Sequence, residues 1–286
     1  MLRTLAGAVA ALTLAACAST SHLKSETAAA PDVALIAAVA GPWRSDADRA
    51  RDSARHPGET LAYWGVEPGV SVLEMIPGGG YWTDILAPYA RATGGVYQAT
   101  AADLNNPALS DGARRNRAAF QARLAASPEV YGAVTLVNFG AQTTSLGAPN
   151  SVDVVFTARN IHNWMAAGAL DATLAQIFTV LKPGGVLGVE EHRANGDVQD
   201  PEAPTGYVTQ AYVIAAAARA GFRLDGSAEI NANHKDTKDH PFGVWTLPPV
   251  RQSAPSGQPA NPAFDHTRYD AIGESDRMTL RFLKPV

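Results

Sequence analysis

Cysteine is almost absent. The 286 residues include one, at position 17, so no disulfide can form within the chain. An excess of charge of one sign is missing too. Lys and Arg number 23 against 27 Asp and Glu, a formal net charge of −4, which gives no footing for nucleic acid or an acidic partner. The apolar run from Thr4 to Leu14 is too short to span a bilayer as a stable helix. There is no internal repeat, and no histidine pair with a ligand spacing such as His-Glu-x-x-His. What remains is an ordinary globular composition, 46% hydrophobic and 17% charged, in a chain long enough for one large domain or two small ones.

The chain is organised around residues 70–84. Val70, Val72 and Leu73 are β-formers in a short apolar run, and Glu74 follows as the first charge at the strand's carboxyl end. Pro77 stops the ladder. Gly78, Gly79 and Gly80 then free the backbone for positive φ and for close approach by a ligand. Trp82, Ile85, Leu86 and Tyr89 have helical spacing. A strand, a turn and a helix start in this order expose backbone N–H groups to an anionic ligand.

Strand and helix alternate before and after this unit. Val33–Ala40 reads as a short packed helix. Ser45 is a plausible cap for a helix to about Arg55, and Glu59–Trp64 reads as another. Further strands are expected at 96–100, 134–139, 152–156, 186–190, about 221–230 and 277–283. Helices are expected at 110–126, 168–181 and 207–220. Arg114, Arg115, Arg117 and Arg123 give the first of these a basic face, expected to be solvated. The alternation predicts a doubly wound, mostly parallel sheet with helices on both faces. Residues 231–275 lack regular periodicity. They form an unusually long connection, expected to be a lid or rim over the site or else a disordered surface segment.

The central stretch resembles the first motif of class I S-adenosylmethionine-dependent methyltransferases. Glu74 takes the acidic place, Gly78 and Gly80 take the second and third glycine places, and Ile76 stands where the first glycine is usual. Leu181-Lys182-Pro183-Gly184-Gly185 before an apolar strand is a second signature of that family. Segments such as Arg159-Asn160 with His162 and Trp164, and Gly273–Thr279, resemble a group of predicted bacterial methyltransferases. The resemblance covers about residues 57–286. It implies a Rossmann-like sheet of seven strands with an antiparallel terminal strand, and S-adenosylmethionine as cofactor. It places cofactor contacts at Glu74, Pro77, Gly78, Gly79, Gly80, Asp103, Asn138 and Arg159. Thr100 and Asn138 occupy places where the family usually has acids.

Ligands of open α/β sheets lie beyond the carboxyl ends of the strands. The polar groups following the fourth and fifth strands therefore converge with the glycines. His162 is the candidate base, with Asn160 to orient a small-molecule substrate and His192 as second choice. Four histidines and several acids at the rim keep a metal site as a minor reading.

Leu14-Ala15-Ala16-Cys17 matches the bacterial lipobox. It divides the chain into a lipoprotein signal peptide (1–16), a tether and N-terminal segment (17–44) and a methyltransferase-like domain (45–286). The match implies lipidation at Cys17 and an extracytoplasmic protein held to a membrane by its anchor alone, on the periplasmic side and by weak preference at the outer membrane. That location supports an alternative function, a non-catalytic small-molecule-binding lipoprotein on the same fold.

Overall fold

A computed structural model describes residues 32–286. The signal peptide, Cys17 and the tether to residue 31 lie outside the described residues. The strands are β1 (Ser71–Met75), β2 (Val96–Ala102), β3 (Val134–Phe139), β4 (Val152–Ala158), β5 (Leu181–His192), β6 (Arg223–Ala228), β7 (Pro241–Val244) and β8 (Arg277–Leu283). The helices are α1 (Val33–Val39), α2 (Asp46–Arg49), α3 (Asp52–Arg55), α4 (Pro57–Tyr63), α5 (Thr83–Thr93) and α6 (Asp111–Ala125). They continue with α7 (Pro128–Tyr131), α8 (Ile161–Ala166), α9 (Leu170–Val180), α10 (Gln210–Arg219) and α11 (Thr267–Ile272).

All strands but β7 form one sheet in the order β3-β2-β1-β4-β5-β8-β6. The pairs from β3 to β5 are parallel, and β8 runs antiparallel between β5 and β6. This is the expected doubly wound methyltransferase fold. The order reverses between β1 and β4, and the crevice beyond their carboxyl ends is where such sheets hold ligands.

Period-two alternation divides the sheet's side chains between two cores. Leu73, Val155, Leu187 and Val189 face one core with Trp164 of α8 and Ile177 of α9. Val72, Val154, Phe156 and Val186 face the other with Leu35 of α1, Leu61 of α4 and Ile85 of α5. Each fully buried aliphatic side chain contributes about 1.5–3 kcal/mol, so both helical layers are held by the same strands. Buried Trp64 stacks on Phe156 at 5.4 Å and donates through Nε1 to the Leu280 carbonyl at 3.0 Å. It fits because β5 has Gly188 there: a Cβ would lie 2.5 Å from the indole.

Several local expectations are altered by tertiary contacts. Ser45 does cap a helix, accepting from Asp48 N–H, but the segment breaks into α2 and α3. The basic face of α6 is not wholly solvated. Arg117 donates to Ala102 O at 2.7 Å and to Asn138 Oδ1 at 2.6 Å, and Arg123 pairs with Asp84 at 2.6 Å. Lys182–Gly185 lies in β5, after α9 has ended at Val180. The 231–275 segment contains β7 and α11. Among the described residues no helix is long and apolar enough to cross a membrane.

Candidate active site

After β1 the backbone enters the left-handed region at Ile76 (φ 51°), Gly78 (57°) and Gly80 (93°). For β-branched Ile76 this conformation is strained. Its N–H donates to Thr100 Oγ1 at 2.7 Å, so Thr100, at the place of the family's β2 acid, braces the turn. The glycines differ in what they face. A Cβ on Gly80 would overlap the Arg123 guanidinium, whereas Gly78 and Gly79 face open space.

That space consists of two cavities that meet at Ile76, Pro77 and Gly78. The smaller, about 210 Å³, is bordered by Arg51 and Arg55 of the N-terminal helices, by Tyr81, and by Arg159 and Asn160 after β4. The larger, about 390 Å³, has Thr100–Ala102 on one wall and Arg117, Phe120 and Phe139 on the others. The long connection is not the cover that was expected. Residues 231–275 line neither cavity, and the wall beside the glycines comes from α2 and α3.

The acidic and amide positions of the expected cofactor set are engaged within the protein. Glu74 is fully buried. Its Oε2 accepts from Thr83 Oγ1 at 2.9 Å and from the Tyr97 hydroxyl. Burial pushes its carboxyl up to about 7, against the opposing pull of these two hydrogen bonds. Asp103 accepts from Asn105 N–H and Thr143 Oγ1, both at 2.9 Å, and Asn138 is held by Arg117. Neither Asp103 nor Asn138 borders a cavity described above. Glu74, Pro77, Gly78, Gly79 and Arg159 do; Gly80 does not.

Neighbouring residues of β5 point to opposite faces of the sheet, and this separates the remaining polar groups. Glu190 faces the smaller cavity's wall, with Arg277 Nη1 at 2.9 Å and Arg159 Nη1 at 3.7 Å. Glu191 faces α8. Its Oε2 accepts from Ile161 N–H at 2.6 Å and His162 N–H at 3.3 Å, and its Oε1 from His192 N–H at 2.8 Å. His162 Nδ1 lies 2.9 Å from the same Oε1. This pattern assigns the proton to Nδ1 and leaves Nε2 as the acceptor nitrogen.

His192 Nδ1 lies 2.6 Å from Ser275 Oγ. Burial drives its pKa well below the usual value, and the nearby His162, Arg159 and Arg277 lower it further. The two imidazoles are 5.4 Å apart, and Trp245 of the long connection closes over His162 at 5.9 Å. Asn160 thus shares the glycines' cavity, donating to Met75 O and Thr157 Oγ1. His162 and His192 form a separate cluster behind it.

His162, Glu191 and His192 place one ligand atom each within 4.8 Å of one another. Both Glu191 oxygens already accept backbone N–H groups, so the hydrogen-bonded arrangement accounts for the cluster without a cation. The sequence reading missed Arg51, Arg55, Phe120 and Phe139. Only the phenylalanines had a local signal: Phe139 ends β3, and Phe120 stands three residues from Arg117 on α6.

Residues 73–189 match the methyltransferase domain family. The chain is 31% identical over 136 residues to the ubiquinone/menaquinone biosynthesis C-methyltransferase UbiE of Shewanella pealeana. It is 30% identical over 132 residues to the protein of the same name in Shewanella halifaxensis. Each match covers 46% of this chain and 46% of the relative, so the chain spans about half the length of these curated proteins. Its structure is similar to one described as a sarcosine dimethylglycine methyltransferase from Galdieria sulphuraria, with TM-score 0.50 and 14% identity over 83% of this chain and 86% of the other. An S-adenosylmethionine-dependent methyltransferase from Aquifex aeolicus gives TM-score 0.46 and 19% identity over 64% and 87%. At such identities the structural likeness is one of fold.

Proposed function

We propose that this protein is a class I methyltransferase that uses S-adenosylmethionine and acts on a small-molecule acceptor. The observation that carries the proposal is the pair of cavities meeting at Pro77–Gly78, at the switch point of a sheet whose residues 73–189 match the methyltransferase domain family. The donor fits this arrangement. Gly78 and Gly79 leave room for close approach, Phe120 and Phe139 offer aromatic walls for an adenine in the larger cavity, and the smaller cavity is polar and cationic. Bound there, the donor supplies an electrophilic methyl group on a sulfonium.

The chain's own task is alignment and exclusion of water. Asn160 fixes the ends of β1 and β4 against each other. Arg159 borders the smaller cavity. His162 borders neither cavity, so it takes a proton from the acceptor's nucleophile only where the acceptor reaches its Nε2 past Asn160. Its Nε2 is the free acceptor nitrogen, and Glu191 is placed to stabilise the imidazolium that forms. His192, held neutral by burial, is the second candidate.

Thr100 in place of an acid, and Asp103 and Asn138 already engaged, favour one other reading: a small-molecule-binding protein without turnover. The lipobox adds extracytoplasmic attachment through Cys17 to either reading. The two are separated by following label from methyl-labelled S-adenosylmethionine into fractionated small molecules. Methylation by the wild type, and at least tenfold less by His162→Gln, supports the enzyme. Donor binding without turnover in any fraction supports the binding protein.

A further inference from the structure

We propose that the outer face of α1, with Pro42 and Trp43 beyond it, docks onto the surface of a lipid bilayer. The proposal rests on the anchor read at Cys17 for its proximity to a membrane, and not on the methyltransferase reading.

Residues 33–43 carry no charge, and their only polar side-chain atom is the indole nitrogen of Trp43. A helix with one apolar stripe needs one partner, whereas a helix apolar all round needs cover on every side. The helix α1 is of the second kind. Leu35 and Ala38 are buried in the core that α1 shares with α4 and α5. Val33, Ile36, Ala37 and Ala40 take the i, i+3, i+4 and i+7 places of the opposite face and are exposed. Val33 is 83% exposed and Ile36 55%. Pro42 and Trp43 continue the exposed set. Among the described residues nothing covers it.

The polar groups nearby are engaged within the protein or confined to the edge. Asp32, the N-cap, accepts through Oδ1 from Leu35 N–H at 2.6 Å and through Oδ2 from the Tyr89 hydroxyl at 2.7 Å. Trp43 donates through Nε1 to the Asp84 carbonyl at 2.8 Å, so its polar atom is satisfied without solvent. The next exposed residues are Ser45 and Asp46, and Asp46 pairs with Arg49. An exposed apolar patch with a polar rim marks an interaction site.

The occupant follows from chain connectivity and size. The lipobox cysteine stands about 15 residues before Asp32, and a chain of that length spans at most about 50 Å. The anchor therefore delivers the domain to the bilayer by its α1 end. Contact made from a tethered position is intramolecular, so a face too weak to hold a free protein suffices. A helix of 7 residues cannot cross a bilayer. Laid flat, it places one face in the headgroup region, where an indole is favoured. A second copy of the chain fits less well: the exposed set has six residues, against about 20–30 on each side of a stable protein interface. Docking also bears on the site. The helices α2 and α3 follow directly and wall the smaller cavity. The face fixes that wall relative to the bilayer, where a bare tether would leave the domain free to swing.

Photo-cross-linking of the whole chain reads what lies on this face. Benzoylphenylalanine replaces Ile36, or Ala40 should that variant not fold, and Val198 is the control position. Val198 is 92% exposed, in a segment whose neighbours Ala203 and Val208 pack into the other core. The proteins are reconstituted in vesicles of phosphatidylethanolamine and phosphatidylglycerol and irradiated. A probe held at the boundary of headgroups and acyl chains should give phospholipid adduct in about fivefold or greater excess over the control. A cross-linked dimer, a link to the chain's own residues 18–31, or equal adduct at both positions overturns the proposal. The face is then closed by a second copy, by the tether, or by nothing. Mass analysis of Cys17 in the same sample keeps anchor and face apart. Lipid on Cys17 without adduct at position 36 retains the anchor and rejects the docking face. Adduct at position 36 in protein without lipid on Cys17 retains the face and rejects the anchor.

Discussion

Replacing Glu74 with Gln tests whether the acid of the glycine motif serves the fold or faces a ligand. Its carboxyl is fully buried, and burial pushes it from 4.5 in the unfolded chain to about 7. A raised value means that the folded protein holds a proton that the unfolded chain has released between these two pH values. The stabilising contribution is then complete below pH 4.5 and is lost as pH rises through about 7. The gap between 4.5 and about 7 corresponds to about 3 kcal/mol. Gln keeps an acceptor oxygen for the Thr83 and Tyr97 hydroxyls and has no proton to lose. Urea unfolding of both proteins from pH 4.5 to 8.5 gives the difference directly. The wild type should lose about 3 kcal/mol relative to Glu74→Gln across this range, most of it between pH 5 and 7. Depressed His192 contributes in the opposite sense, losing stability as pH falls below 6.5, but it is present in both proteins and cancels. A constant difference across the whole range would refute the raised titration of the buried carboxyl.

Three other outcomes follow from particular contacts. Gly188→Ala should destabilise by about 1–3 kcal/mol, through overpacking against Trp64; an unchanged urea midpoint would contradict this. Arg277→Met should lower stability by about 3–5 kcal/mol, because buried Glu190 loses its closest cation; a thermal midpoint within a degree of the wild type would show that Glu190 needs no counter-charge. Cys17→Ser should abolish metabolic lipid labelling and release the protein from the membrane fraction, whereas persistent labelling would reject the anchor.

The sheet was legible because its signals are local. Strands β3 and β8 occupy the expected residues 134–139 and 277–283, where short apolar or alternating runs meet clear breaks. The glycine turn and the convergence of Asn160 with it followed from strand order. The cationic wall was not legible, because it is made by contacts without a sequence pattern. Arg55 and Glu274 meet across 219 positions, joining a short N-terminal helix to the end of the long connection. The inward turn of Glu74 was hidden as well. It depends on Tyr97 of the neighbouring strand and Thr83 of the following helix, and no spacing rule links these three. The basic face of α6 was misread for a related reason: a helical wheel shows that Arg117 and Arg123 share a face, but not that Asn138 and Asp84 await them.

The two cavities and the turn between them are proposed to form one cofactor site. Calorimetric titration with S-adenosylmethionine of the wild type and of Gly78→Asn tests this most directly. Asparagine tolerates the left-handed conformation of Gly78, and its side chain would project into open space where the cavities join. The expected result is saturable one-to-one binding by the wild type and at least a tenfold loss in a folded variant, the cost of about 1.4 kcal/mol or more for an obstructed site. No binding by the wild type, or equal binding by both proteins, would contradict the account.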